Sequence, residues 1–151
     1  MNAPAHVNVS RMNGCVLLCA APMQVEGVWR IIEPMIRAAF ATGIGDETAD
    51  DIHEDLVNMR SLLWVVVDEL SSEIIAAATT RLVTVSVGKM CVITSCGGRD
   101  LMRWIGFIRD LEDYAKAEGC SIFRMMGRPG WARFFRRYGY RQPWIAIERR
   151  L

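Results

Sequence analysis

The apolar spacing changes most sharply at Gly97-Gly98, and that change limits what the chain can fold into. Before the pair, Met90 to Ser95 reads as a strand. After it, Leu101, Trp104, Ile105, Ile108, Leu111 and Ala115 form one apolar face of a helix running from about Asp100 to Glu118, and Gly119 supplies its C-terminal stop. Ser121 to Met126 is again strand-like. Arg128-Pro129 opens a short helix with proline at its first position, Gly139 ends it, and Trp144 to Glu148 alternates as a last strand. Strand, glycine turn, helix and strand in succession commit this half of the chain to an α/β arrangement.

The first half is compatible with that arrangement. Residues 1–14 are polar and aperiodic, an N-terminal arm, and the domain proper spans residues 15–151. Cys15 to Ala20 is a short buried strand that ends near Pro22. Val25, Val28, Trp29, Ile32, Ile36 and Phe40 share a helical face, with a kink or restart expected at Pro34 and an end at Gly43 and Gly45. Thr48 and Asp51 form a capping box ahead of a helix that would turn Ile52, Leu56, Val57 and Met59 inward. Leu62 to Val67 is a strand, Asp68–Ser72 turns it, Ile74 to about Val85 is its antiparallel partner, and Gly88-Lys89 is the next turn. The order is β-α-α-β-β-β-α-β-α-β. It predicts one α/β domain with a mixed, mostly antiparallel sheet and helices on both faces.

Composition narrows the function classes. With 52% apolar residues in 151, the chain can fill a single core and is not disordered. A net charge of +1 excludes a polybasic binder, yet the charge is segregated. Residues 1–98 carry 6 basic and 11 acidic side chains; residues 99–151 carry 12 and 6. All the basic residues but Lys89 and Lys116 are arginine. The apolar stretch Cys15–Met23 is broken by Pro22, too short for a membrane span, and followed by no clear secretion cleavage site, which predicts a cytosolic protein. The five cysteines form no C-x-x-C pair and read as free core thiols; His6 and His53 lie far from partners at ligand spacing, so no metal site is expected.

The order of elements, and above all residues 90–140, resembles the GNAT family of N-acetyltransferases. That family turns from strand to helix through a Q/R-x-x-G-x-G/A loop, whose backbone amides and helix dipole hold the pyrophosphate of acetyl-CoA. The matching stretch here is Val92-Ile-Thr-Ser-Cys-Gly97-Gly98-Arg99-Asp100. The resemblance implies a single-domain GNAT-like fold and offers Gly97, Gly98, Arg99 and Arg128 as cofactor-binding candidates. The glycine spacing departs from the family pattern, and Asp100, an ordinary helix cap, puts a carboxylate where a phosphate would sit. Many members protonate the leaving thiolate with a tyrosine four residues before a Gly–aromatic pair. Gly139-Tyr140 fits that pair, but Phe135 stands at the tyrosine position, leaving Tyr138 and Tyr140 as the candidate acids. The family's asparagine after the preceding strand is replaced by Gly127 and Arg128. No acidic residue lies in Met90–Ser95, and Asp68, Glu69 and Glu73 fall at a hairpin tip.

Glu118-Gly119-Cys120 and Gly127-Arg128-Pro129-Gly130-Trp131 are similar to segments of small GNAT-like proteins of bacteriophages and prophages. That resemblance implies a structural or interaction protein of a bacterial host's cytoplasm or of the virion, with acetyl transfer lost and no cofactor required. The alternative is an active N-acyltransferase using acetyl-CoA on an unknown amine. A third reading is a nucleic-acid-binding module. On the short helix, Trp131, Phe134, Phe135 and Tyr138 form an aromatic face and Arg133, Arg136 and Arg137 the opposite one. The arginine forks suit an acidic protein partner or self-association. Nucleic acid is disfavoured, because readers of single strands expose their aromatics whereas this spacing buries them.

Overall fold

The β-branched runs of the sequence become the centre of one six-stranded sheet in the computed structural model, which describes residues 9–41 and 46–151. The strands are β1 (Ser10–Met12), β2 (Cys15–Ala20), β3 (Leu62–Asp68), β4 (Ile74–Val85), β5 (Gly88–Gly98) and β6 (Ile122–Met125), ordered in space as in sequence. The first four pairings are antiparallel and β5–β6 is parallel, so the sheet is mixed. A parallel pairing requires a crossover, and the segment after β5 supplies it.

Side chains alternate across the sheet and feed two cores. Leu62, Trp64 and Val66 of β3 join Trp104, Ile105, Phe107, Ile108 and Leu111 on one face. Leu63 and Val65 join Ile32, Ile36, Ile52 and Leu56 on the other. The second face is covered by α1 (Val25–Phe40) and α2 (Ala49–Val57), the first by α3 (Leu101–Trp104), α4 (Ile108–Ala117) and α5 (Pro129–Phe135). Helices therefore lie on both faces, as the sequence predicts. Trp64 anchors the first core: its indole N–H donates to the Thr80 hydroxyl at 2.9 Å, and its ring meets that of Tyr114 edge-on at 5.2 Å.

Several local expectations hold. The Thr48 hydroxyl accepts from the Asp51 amide at 3.2 Å, and the Asp51 carboxylate accepts from the Thr48 amide at 2.7 Å, the two halves of the capping box. Asp68 turns the β3–β4 hairpin by accepting the Leu70 and Ser71 amides.

Other expectations need correction. Ser10–Met12, assigned to the arm, is a strand, because the Asn13-Gly14 turn folds it onto β2. α1 does not restart at Pro34 but runs through it as one helix. The glycines expected to end it, Gly43 and Gly45, lie outside the described residues. Ile52 and Leu56 are buried, but Val57 and Met59 are exposed, because α2 stops at Val57 and Met59 sits beyond it with positive φ. Gly88-Lys89 begins β5; the turn is Ser86-Val87. The single helix expected over 100–118 is divided by a 3-10 turn at Ile105–Phe107. Met12 of β1 packs so closely on Gly106 there that a methyl group would collide with its sulfur. Trp144–Glu148 forms no strand; residues 141–151 are exposed and outside regular structure.

Candidate functional site

The parallel pairing of β5 with β6 covers only half of β5. Met90 to Ile93 lie opposite Ile122 to Met125, and beyond that point no described strand pairs with the outer edge of β5. At the same place β4 and β5 slip register: Thr79 faces Ser95, Thr80 faces Ile93, and Thr94 is the extra residue of a bulge. The hydroxyls gather around it. Thr79 Oγ1 hydrogen-bonds with Thr94 Oγ1 at 2.7 Å and Ser95 Oγ at 2.6 Å. A bulge frees ladder groups, and here it lies just where the β5–β6 pairing ends.

Beside the bulge is a cavity of about 40 Å³, lined by Ile93 and Cys96 of β5, Ala76 and Ala78 of β4, Trp104 and Ile108 above the sheet, and Trp131 and Phe135 of α5. Its walls are apolar. Burial pushes the Cys96 thiol up to about 12, so it is no nucleophile at neutral pH. The same cause raises Cys91 to about 12 and Cys19 to about 11, and all five cysteines are free.

The glycine turn is tightly enclosed. Gly97 and Gly98 remain in the β4–β5 ladder opposite Ala77 and Ala76. A Cβ on Gly97 would stand closer than 3.0 Å to the carbonyl oxygen of Met35 in α1, and one on Gly98 equally close to that of Ile75. The Arg99 amide donates to Ile75 O at 2.9 Å, and the Arg99 guanidinium pairs with Glu73 at 2.7 Å. The chain then reaches α3 through Asp100 alone, which adopts positive φ and makes no side-chain cap, contrary to its expected capping role. Arg103 adds a second lock. Its guanidinium donates to Asp68 at 2.6 Å, which holds that carboxyl well below its usual range, at about 2, with the Ser71 and Leu70 amides assisting. Arg128 is the exposed N-cap of α5, and no hydrogen bond or ion pair joins it to the Gly97–Arg99 turn.

The two tyrosine candidates pack against Phe135, and neither lines the cavity. Tyr138 is half-buried against Phe134 and Phe135, each 5.9 Å away between ring centres. The Tyr140 hydroxyl donates to the Glu112 carboxylate of α4, and its ring packs on Phe123 and Phe135. Burial first, and the Glu112 contact second, raise its pKa. Phe135, at the position of the family's tyrosine, is buried and faces the cavity.

The arginines of α5 and of the 3-10 turn that follows it, Arg136–Tyr138, are exposed as expected. Arg137 lies 4.5 Å above the Phe134 ring and donates to Phe134 O at 3.1 Å, whereas Arg133 and Arg136 have no ion-pair partner among the described residues. The same is true of all eight arginines after residue 120. By contrast, Glu33, Glu47, Asp55, Asp68, Glu69 and Glu73 all pair with arginines of residues 1–103. The acidic half is largely neutralised internally, and the surplus positive charge remains on the surface.

The sequence reading missed Thr79, Thr94 and Ser95. Hydroxyl pairs at Thr79-Thr80 and Thr94-Ser95, set in otherwise apolar strands, are the signal that could have marked them. Among the described residues no group of three His, Cys, Asp or Glu could hold a metal, and no helix is long and apolar enough to cross a membrane.

No protein-family model and no curated protein matches the sequence. Solved structures do match the fold. Glucosamine-6-phosphate N-acetyltransferase from Arabidopsis thaliana is 14% identical with a TM-score of 0.63, over 90% of this chain and 97% of that one. A predicted acetyltransferase from Clostridium acetobutylicum, solved with acetyl-CoA, is 15% identical with a TM-score of 0.64, over 89% and 96%. A GNAT family acetyltransferase from Staphylococcus aureus is 12% identical with a TM-score of 0.60, over 91% and 99%. These likenesses, with the mixed sheet and its parallel β5–β6 pair, identify the architecture as the GNAT acetyltransferase fold.

Proposed function

We propose that this chain is a GNAT-fold interaction protein in which acetyl transfer has been lost. The observation that carries the reading is the enclosure of Gly97 and Gly98. A Cβ on either would collide with the backbone of Met35 or of Ile75-Ala76, so packing alone accounts for these glycines without a diphosphate. The adjoining groups also disfavour an anion: Glu73 holds Arg99, Asp100 is exposed at the start of α3, and the Arg99 amide is spent on Ile75. With Phe135 lacking a proton and Tyr140 tied to Glu112, neither leaves an acid directed at the cavity.

The partner in this reading is an acidic protein that meets the unpaired arginines, Arg133 and Arg136 foremost. The likeness of Gly127–Trp131 and Glu118–Cys120 to phage and prophage proteins favours a bacterial host, with the virion as one location. Differential scanning fluorimetry with acetyl-CoA tests the proposal. A native-state ligand must raise the melting temperature, so an unchanged value at saturating acetyl-CoA is the expected result. A rise accompanied by acetylation of any amine would overturn it.

A second reading is favoured by one observation. The bulge at Thr94, beside a β5 edge that β6 leaves uncovered, suits an acyl-CoA thioester whose carbonyl accepts from a freed backbone amide. In that case the chain is an acetyl-CoA-dependent N-acyltransferase that relies on positioning, with Arg128 near the phosphates.

A further inference from the structure

The outer side of α1 carries two rows of side chains with the same spacing. Val25, Ile32 and Ile36 point inward to the sheet. On the opposite side Gly27, Ile31, Pro34 and Ala38 follow at steps of four, three and four, which aligns them along the helix, and all four are exposed. Met23, just before the helix, prolongs the line; it is 90% exposed and Ile31 53%. A Cβ on Gly27 would meet nothing within 4 Å, so the surface there is open. Each member of the apolar row is preceded by a charged residue, giving a second row of Glu26, Arg30, Glu33 and Arg37. Glu33 pairs with Arg37 along the helix, and α2 offers His53 to Glu26 and Asp50 to Arg37. Arg30 has no ion-pair partner among the described residues.

We propose that this face joins two copies of the chain, α1 against α1 in antiparallel, with the two-fold axis at Ile31. The charge order selects the occupant. Steps of four, three and four read the same from either end, while the signs alternate, so the row is its own complement when reversed. A two-fold axis between antiparallel helices keeps the same flank of each on the same side. Glu26 then comes level with Arg37 of the other copy, and Arg30 with Glu33, each to within one residue's rise of about 1.5 Å. The apolar row obeys the same register. Ile31 meets its counterpart at the axis, Pro34 settles over Gly27, and Met23 covers Ala38. A parallel pair would set glutamate against glutamate and arginine against arginine, and a uniformly acidic or basic helix would satisfy only half the row. The contact is one helix pair about 24 Å long, so the association is weak, on the order of micromolar. It closes on itself and forms no filament. The inference concerns a face apart from the arginines of α5 and does not depend on whether acyl-CoA binds.

Sedimentation equilibrium of the full chain from about 1 to 100 µM tests it. The average mass should rise with concentration from 17.0 kDa toward twice that value. Arg30→Glu, at an exposed position, sets like charges level and should hold the mass at 17.0 kDa throughout. Adding Glu33→Arg to it exchanges the two signs and should restore the rise, which a merely structural role for Arg30 would not do. Ile31→Asp at the axis should also give a monomer, with a circular dichroism spectrum unchanged from the wild type. A wild type that stays at 17.0 kDa overturns the proposal. So does a dimer that Arg30→Glu and Ile31→Asp leave intact, and so does a folded double variant that stays monomeric.

Discussion

Replacing Gly97 with alanine separates the two roles a glycine can have at this turn. The residue does not use positive φ, so its requirement is one of space alone. The new methyl would be forced against Met35 O, a backbone atom in the middle of α1 that cannot swing aside as a flexible side chain could. Overpacking of this kind costs about 1–3 kcal/mol, and a rigid neighbour puts it near 3. Alanine also restricts the unfolded chain, which returns about 0.4–1 kcal/mol. The net loss is therefore about 2 kcal/mol, or roughly 4–8 °C in melting temperature for a domain of this size. Urea denaturation should show a lower midpoint at unchanged slope, which marks lost stability without a change in the unfolded ensemble. Gly27→Ala is the matched control: it lies inside α1 with nothing within 4 Å of its added methyl, and should gain about 0.5–1 kcal/mol. If Gly97→Ala melts within about 1 °C of the wild type, the steric argument fails, and with it the packing explanation of this glycine.

Other substitutions test the remaining joints. Thr80→Val keeps the volume but orphans the buried Trp64 indole N–H, and should lower the unfolding free energy by about 1–3 kcal/mol in urea titrations. Thr48→Ala removes the α2 cap and should cost about 1 kcal/mol; a loss below roughly 0.3 kcal/mol means the cap is idle. Asp68 provides a pH signature. Its folded pKa of about 2 lies below its unfolded value of about 4, so its contribution is complete above pH ~4 and disappears as pH falls toward 2. The stability gap between wild type and Asp68→Asn should therefore narrow between pH 5 and pH 2; a constant gap would show that Asp68 does not owe its low pKa to the folded state.

Much of this molecule is written in short stretches of sequence. The β-branched run at Leu62–Val67, the Thr48/Asp51 box, the periodic faces of α1 and α4 and the proline opening α5 each act within about one helical turn or one strand, so their spacing alone determined the α/β order and the two-faced sheet. The features that decide the site are contacts between distant segments. The close approach of Met35 to Gly97, and that of Met12 to Gly106 where the expected helix is divided, are written in no local pattern. The bulge at Thr94 depends on how β5 matches β4, and Tyr140 could be judged only once Glu112 lay beside it. Residues 144–148 carry the pattern of a strand, but a strand also needs an edge to pair with, and pattern supplies only half of a ladder. Period and capping are properties of neighbours in the chain, so the sequence displays them; close approach, register and pairing belong to neighbours in space, and only the tertiary structure could decide them.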